Sequence, residues 1–294
     1  MYVLGSSAPI KLLLCHSLLR SVFMAASSAG ILYSLTHAIS HSVPARRICE
    51  HKSLKNLTFK PYNDYMDLKQ QAARAAVALI NEKMVIGLGA GATMAYMVQY
   101  LQAQHINVEL YSSSGATREL LAQHGFPVND IANIAWLDLY FDGCDQFDRD
   151  LNAVKSGGGI HTMEKLLASM AKEFVLVGDE SKYAETLTTK FPIVVEVLPQ
   201  ARSFVTAKLE SLYQGLIMSY RQTPAGAFSL TENGNLLLDV FFTSLPALAQ
   251  LNTQLKSVTG VVETSLFYNL ATKAITAGAD GINFFYKDRK TAQL

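Results

Sequence analysis

The residues most capable of chemistry lie in the stretch 137-LDLYFDGCDQFDRDLNAVKSGGG-159. An apolar run ends in Asp142, Asp145 follows three residues later, and Lys155 lies just before a run of glycines. Two neighbouring carboxylates repel each other and partial burial raises a carboxyl pKa, so at least one can act as acid and base near neutral pH. The lysine offsets their charge and can stabilise an oxyanion. The stretch predicts a proton-transfer site.

Plainer roles for these acids stay open. Asp142 and Asp145 can form an Asx turn, and Asp148 and Asp150 are expected to be solvated loop residues. The acids lack the spacing of a calcium loop, and no cysteines and histidines have zinc spacing, so no metal is expected.

The residues around this stretch have alternatives too. Glu164 is either part of the site or a surface acid that complements the dipole of the following helix, with Thr162 as its N-cap. Cys144 is expected to be a packing residue, because no histidine is arranged to activate it.

A glycine loop, 85-VIGLGAGAT-93, joins a predicted strand to a predicted helix. Its backbone N–H groups and the helix dipole favour an anion, so we expect the phosphate of a small molecule rather than a ligand-free turn. The loop lacks the Gly-Lys-Ser/Thr of a nucleotide-binding P-loop. The expected phosphate contacts are Gly89, Ala90, Gly91, Ala92 and Thr93, with Ser112 and Ser113 of the next loop nearby.

Helical and strand periods alternate through the body of the chain. Helices are predicted at residues 67–80, 92–104, 117–124 and 163–172, and strands at residues 84–88, 108–111, 136–141 and 174–177. This order predicts an α/β fold, a Rossmann-like open parallel sheet that binds ligands at the carboxyl ends of its strands.

The pattern changes after residue 190. Strands at residues 193–197, 216–221 and 260–264, an Asn-Gly turn within residues 228–240, and helices at residues 201–213 and 245–256 give the order β-α-β-β-α-β. That order predicts a smaller ferredoxin-like α+β domain at residues 191–264. The tail is expected to return to the first sheet, so the catalytic domain spans residues 66–190 plus 265–294.

The first sixty-five residues differ from the body. Seven lysines and arginines but one glutamate lie in residues 1–60, and serine is frequent. We expect them to be a mis-started extension before Met66, an organelle transit peptide or, less in keeping with the composition, a membrane anchor.

The bulk composition narrows the class of protein. Of 294 residues, 50% are hydrophobic, 17% are charged, and the net charge of +1 leaves a mildly acidic body. Such a body is not expected to bind nucleic acid or a membrane. The body has one cysteine, Cys144, and hence no internal disulfide, so a cytoplasmic location is expected unless residues 1–65 target an organelle.

Several motifs in order resemble one family. They are Lys69, 87-GLGAGAT-93, 112-SSS-114, 142-DGCD-145, 155-KSGGG-159, 164-EK-165, 179-DESK-182, 194-VVEVLP-199 and 231-TENGN-235. Over residues 66–288 the chain resembles the type A ribose-5-phosphate isomerases. The resemblance implies interconversion of D-ribose 5-phosphate and D-ribulose 5-phosphate in the pentose phosphate pathway, through a cis-enediolate, without a cofactor, by a homodimer or tetramer.

The resemblance also implies residue roles. Glu164 would shuttle a proton between C1 and C2, and Asp142 would assist ring opening and hydroxyl proton transfer. Asp145, Lys155 and the glycine loop with Gly157 and Gly158 would orient the sugar oxygens. Thr93, the loop amides, Lys69 and Lys182 would hold the phosphate.

The sequence departs from the family pattern at five positions. They are Ala90 and Ala92 in place of phosphate-loop hydroxyls, Gly115 in place of a common aspartate, Ser156 in place of a glycine, and Met163 in place of an arginine. An isomerase of another sugar phosphate, and a weakly catalytic sugar-phosphate sensor on the same scaffold, therefore stay open as alternatives.

Overall fold

The computed structural model describes residues 67–287. The expectations for residues 1–65, and for Met66 as an initiator, lie outside the described residues. Within residues 67–287, no helix is long and apolar enough to span a bilayer.

Six α-helices and thirteen strands form in residues 67–287. The helices are α1 (Leu68–Val77), α2 (Ala92–Gln104), α3 (Gly115–Gln123), α4 (His161–Met170), α5 (Arg202–Leu212) and α6 (Leu248–Ser257). The strands are β1 (Val85–Leu88), β2 (Glu109–Ser112), β3 (Leu137–Asp142), β4 (Gln146–Phe147), β5 (Ala153–Val154), β6 (Ala171–Asp179), β7 (Ile193–Val197), β8 (Ile217–Tyr220), β9 (Leu236–Phe241), β10 (Val261–Thr264), β11 (Leu266–Phe267), β12 (Lys273–Gly278) and β13 (Gly281–Tyr286).

The largest sheet has six strands in the order β13-β12-β6-β3-β1-β2. All neighbouring pairs are parallel except β12 and β13. Both faces are covered, because alternate residues of β6 enter different cores: Val175 and Val177 pack with α1 and α2, whereas Phe174 and Leu176 pack with α4. The predicted α/β fold with an open, largely parallel sheet is confirmed, and β12 and β13 of the tail belong to that sheet.

Local signals explain where α1 begins. Asp67 caps the helix by accepting hydrogen bonds from the backbone N–H groups of Lys69 and Gln70, which the helix itself cannot satisfy. Its other oxygen accepts from the Tyr96 hydroxyl at 2.9 Å, which ties α1 to α2. Because α1 buries only small side chains and Val77, it packs closely on the sheet.

A four-stranded antiparallel sheet follows, in the order β10-β7-β9-β8. With α5 and α6 this is the predicted ferredoxin-like arrangement, in which the first strand lies between the fourth and the third. Valines 195, 197 and 205 and leucines 251 and 255 form its core with the helices. Its strands lie between residues 193 and 264, while the proposed domain limits at 190/191 and 264/265 stay a prediction.

A three-stranded sheet, β11-β5-β4, was not predicted. Each strand has two residues, too few for a periodic pattern to show. The expectation of a solvated Asp148 is wrong: it is 5% exposed and accepts hydrogen bonds from the backbone and side-chain nitrogens of Asn152. Asp150 is exposed, as expected.

Gly260→Ala should destabilise the protein strongly. Gly260 has φ +94°, and an added Cβ would lie 2.2 Å from the Ala201 Cβ, so backbone strain and overpacking combine to about 2–5 kcal/mol in the free energy of unfolding. Urea unfolding measures it.

Gly226→Ala is the matched control. Its φ is +81°, but nothing lies within 4 Å of an added Cβ, so strain alone should cost about 1–2 kcal/mol. Equal losses in the two variants would contradict the packing argument.

Candidate active site

A cavity of about 390 Å³ lies beside the carboxyl ends of β1 and β3. It is lined by Ala90, Gly91, Asp142, Gly143, Cys144, Asp145, Lys155, Gly157, Gly158, Ile160 and Glu164. The structure therefore brings together all four predicted catalytic residues with four of the predicted substrate contacts. A larger cavity of about 680 Å³ beside α3 and α4 is mostly apolar and contains none of the four.

One ammonium group joins two carboxylates in this cavity. Lys155 Nζ lies 2.9 Å from Asp142 Oδ2 and 3.4 Å from Glu164 Oε1, and it also donates a hydrogen bond to the Gly143 carbonyl. The three charged residues are between 1% and 7% exposed. Water screens these charges weakly, so each charge acts strongly on the groups beside it.

Burial and charge together set the titration of this group. Burial is the largest effect that raises the pKa of Glu164, the Asp142 charge also raises it, and Lys155 opposes both, which leaves the pKa at about 8. Burial alone would lower the pKa of Lys155, but Asp142 and Glu164 raise it above its ordinary value. Lys155 therefore stays charged while Glu164 exchanges its proton near neutral pH, as a general base requires.

Asp142 is fixed by contacts from several elements. Its Oδ1 accepts from the backbone N–H groups of Gly143 at 2.8 Å and Ala90 at 3.3 Å, and its Oδ2 accepts from the Tyr140 hydroxyl at 2.6 Å. Gly89 lies directly against it, since a Cβ there would be 2.0 Å from the Asp142 carboxyl carbon. Gly89 thus supports Asp142 and does not itself line the cavity.

Tyr140 is a site residue that the sequence analysis did not identify. Burial raises the pKa of its hydroxyl well above its ordinary value, with the Asp142 and Glu164 charges adding to the effect, so it stays a neutral donor. A signal was present, because residues two apart on a strand share one face and Tyr140 precedes Asp142 by two.

Asp145, Gly157 and Gly158 also line the cavity. Asp145 Oδ2 accepts from the Ser156 N–H at 2.5 Å, which holds the start of the loop. Gly158 and Gly159 have φ of +62° and +72°, a region that side chains rarely adopt. An added Cβ at Gly159 would lie 2.5 Å from Leu237 of β9, so the loop packs on the four-stranded sheet.

The amino end of α2 supplies a place for an anion. Gly91 is its N-cap, with φ +95° and no side-chain hydrogen bond to the first turn, and Gly91 and Ala90 line the cavity. Free N–H groups at a helix N-terminus attract negative charge. Ala92 is exposed and Thr93 is buried, and neither lines the cavity.

The serine loop supports its neighbours. The Ser112 hydroxyl accepts from the Ser114 N–H at 3.1 Å and Ser114 caps α3, while Thr117 donates to the Gly89 carbonyl at 2.8 Å. Ser112 lines the larger cavity and Ser113 is buried. Direct substrate contacts from Ser112 and Ser113 stay a prediction.

The two remaining lysines lie outside the cavity lining. Lys69 is exposed at the start of α1. Lys182 is partly buried, and its Cγ would lie 3.2 Å from a Cβ added at Gly178, the position next to the end of β6. Burial raises the pKa of Cys144 to about 12, although the charges of Lys155 and Lys182 lower it. Cys144 is therefore a poor nucleophile, as expected.

Two expectations about α4 need correction. The helix begins at His161 with Ile160 as N-cap, so Thr162 is a residue of the first turn rather than the cap. Glu164 is 4% exposed, so the alternative of a surface acid is wrong.

Within residues 67–287, no group of three or more histidines, cysteines or acids is placed to hold a metal ion.

Asp142 and Glu164 share the Lys155 ammonium at the carboxyl edge of a parallel sheet. This arrangement defines the class of protein, an α/β enzyme that moves protons on a small substrate. The family model described as "Ribose 5-phosphate isomerase A (phosphoriboisomerase A)" matches residues 109–281. The chain belongs to the ribose 5-phosphate isomerase A family, as its motifs predicted.

Individual relatives agree with this placement. Ribose-5-phosphate isomerase A of Legionella pneumophila (strain Philadelphia 1) is 39% identical over 219 residues, covering 74% of this chain and 98% of the relative. The solved isomerase A of Methanocaldococcus jannaschii is 32% identical with a TM-score of 0.70, covering 75% and 99% of the two chains. A D-ribose-5-phosphate isomerase solved with phospho-erythronic acid is 27% identical with a TM-score of 0.69, covering 75% and 100%.

Glu164→Gln should change how stability depends on pH. Glu164 releases its proton near pH 4.5 in the unfolded chain and near pH 8 in the native protein. The parent's free energy of unfolding therefore falls as the pH rises between these two values. The Gln variant has no such proton, and its stability relative to the parent should increase from about pH 5 to about pH 8.

Urea unfolding at the two pH values measures this difference. Glu210→Gln, on the exposed side of α5, should show the same offset from the parent at both. A pH-independent offset for Glu164→Gln would argue against a raised pKa.

Proposed function

We propose that this protein interconverts D-ribose 5-phosphate and D-ribulose 5-phosphate through a cis-enediolate. The observation that carries the proposal is the buried triad of Glu164, Lys155 and Asp142, next to the amino end of α2. Membership in the ribose 5-phosphate isomerase A family supports the substrate.

The reaction needs one base that works in both directions. It removes the proton from C2 of the open-chain aldose and returns it to C1, while the carbonyl moves from C1 to C2. Glu164 fits this role because its pKa of about 8 lets it accept and release a proton near neutral pH.

The enediolate intermediate carries negative charge on oxygen. Lys155 is the charged group beside Glu164, and a preformed ammonium in a buried site stabilises such charge strongly. Asp142 shares the same ammonium, so we assign it the proton transfers of the hydroxyls and of ring opening. Asp145, fixed by the Ser156 N–H, orients the sugar with Gly157 and Gly158.

We assign the phosphate to the amino end of α2. Ala90 and Gly91 line the cavity there and offer backbone N–H groups, with Ala92 and Thr93 in the following turn. Lys69 and Lys182 would add positive charge from outside the lining residues. Two alanines stand where the family has hydroxyls, so we expect weaker phosphate binding than in those relatives.

The alternatives are not favoured. A sensor has no need of a base with a raised pKa held against a lysine, and the family and the solved relatives are ribose-5-phosphate isomerases.

We also propose a cytoplasmic homo-oligomer, a dimer or tetramer. Exposed apolar side chains on one edge strand of each of the two larger sheets support self-association, since Ile217 of β8 is 70% exposed and Phe284 and Tyr286 of β13 are 45% and 62% exposed. The free cysteine Cys144 is in keeping with a reducing compartment.

Glu164→Gln should abolish most turnover of ribose 5-phosphate. Loss of a general base lowers kcat by about 10²–10⁴-fold, because the amide cannot accept the C2 proton. The full-length parent and variant are compared by the formation of ribulose 5-phosphate.

The matched control is Glu210→Gln, which should keep full activity. A parent that binds ribose 5-phosphate without turnover would refute the proposed function. A fully active Glu164→Gln variant would refute the assignment of the base alone.

Ala92→Ser should improve substrate binding. A hydroxyl bonded to a charged phosphate contributes about 1.5–3 kcal/mol, so KM should fall about tenfold or more while kcat changes little. Ala103→Ser, exposed at the far end of the same helix, should leave KM unchanged. An equal KM in Ala92→Ser and the parent would show that this hydroxyl does not reach the phosphate.

A further inference from the structure

Two family motifs, 194-VVEVLP-199 and 231-TENGN-235, contribute no side chain to the cavity lining. They nevertheless contain a fully buried carboxylate, Glu196 of β7, at 0% exposure. A charge placed there is costly unless hydrogen bonds satisfy it. Its partners therefore indicate what the two motifs do.

Each oxygen of this carboxylate has its own partners. Glu196 Oε1 accepts from Thr231 Oγ1 at 3.0 Å, Asn233 Nδ2 at 3.3 Å and Asn235 Nδ2 at 2.7 Å. Glu196 Oε2 accepts from the Thr162 hydroxyl. One oxygen thus holds the turn between β8 and β9, and the other holds the first turn of α4.

Glu196 remains ionised in this setting. Burial alone would raise its pKa, but the hydrogen bonds from Thr162, Asn235 and Thr231 outweigh it and lower the pKa below its ordinary value. Hydrogen bonds to a charged acceptor are about twice as strong as those between neutral groups. The contact to Thr162 is therefore a strong anchor.

The anchor acts where the helix has no cap of its own. Ile160, the N-cap of α4, offers no side-chain hydrogen bond to the first turn, and Thr162 lies two residues before Glu164. The same face of the sheet supports the preceding loop, because Leu237 pairs in register with Glu196 and lies against Gly159. The four-stranded sheet thus fixes the segment that carries Glu164.

We propose that Glu196 is a positioning residue of the isomerase: through the Thr162 hydroxyl it holds the first turn of α4, and thereby Glu164, in place against Lys155. The proposal rests on the proposed function only for its effect on turnover. It gives the two motifs a shared role, because 194-VVEVLP-199 supplies the accepting carboxylate and 231-TENGN-235 supplies three of its donors.

Thr162→Val tests the anchor, because valine keeps the shape and removes the hydroxyl. Small displacements of a reacting group cost up to about 10²-fold in rate, so kcat should fall about ten- to a hundredfold with KM nearly unchanged. Thr162→Ser, which restores the hydroxyl, should recover most of kcat. Glu196→Gln should resemble Thr162→Val, and the double variant should lose no more kcat than either alone.

Thr231→Val is the matched control, since it removes a hydroxyl from the same carboxylate but not from α4. It should lower the melting temperature and leave kcat near that of the parent. Equal losses of kcat in Thr231→Val and Thr162→Val, or an unchanged kcat in Thr162→Val, would overturn the proposal.

Amide hydrogen exchange of the full-length protein gives a second reading without turnover. The N–H groups of residues 161–166 should exchange faster in Thr162→Val and Glu196→Gln than in Thr231→Val and the parent. Unchanged exchange in Thr162→Val and Glu196→Gln would overturn the anchor. Faster exchange in these two variants, together with a parent that does not isomerise ribose 5-phosphate, would refute the proposed function and keep the anchor.

Discussion

The contact of the Lys155 ammonium with Asp142 and Glu164 is the interaction on which the rest of the site depends. Two buried carboxylates cannot both be ionised at low cost without a cation between them. With both acids ionised, the lysine would leave the group a net charge of −1, so a proton resides on Glu164 until the pH approaches 8. The same contact that makes burial tolerable gives the site a base of suitable strength.

Each member of this group comes from a different part of the fold. Asp142 ends β3 in the six-stranded sheet, Lys155 follows β5 of the small sheet, and Glu164 lies on α4. The four-stranded sheet supports the segment that carries the last two. Leu237 of β9 lies against Gly159, and Arg221, which follows β8, donates a hydrogen bond to the Ser156 carbonyl. The four-stranded sheet thus supports residues 156–159, although it contributes no group to the cavity lining.

Much of this arrangement was predictable because it follows local rules. Alternating periods gave the element order, and the apolar run before Asp142 placed that carboxylate at a strand end. The misjudged features depend on distant contacts instead. The sequence predicts Thr162 as an N-cap because threonine favours caps. Its hydroxyl instead donates a hydrogen bond to Glu196, which is remote in sequence. The two-residue strands and the burial of Asp148 likewise follow from tertiary neighbours.

The position of β12 in the large sheet has a consequence for synthesis of the protein. β6 pairs with β3 on one side and with β12 on the other, yet residues 273–278 are synthesised only after β6 and all the strands of the four-stranded sheet. Until they emerge, the nascent chain displays β6 as a bare, apolar sheet edge, the kind of surface that recruits other unfolded chains. The pairing of β12 therefore covers this edge of β6 and ends the period in which that edge can recruit other unfolded chains.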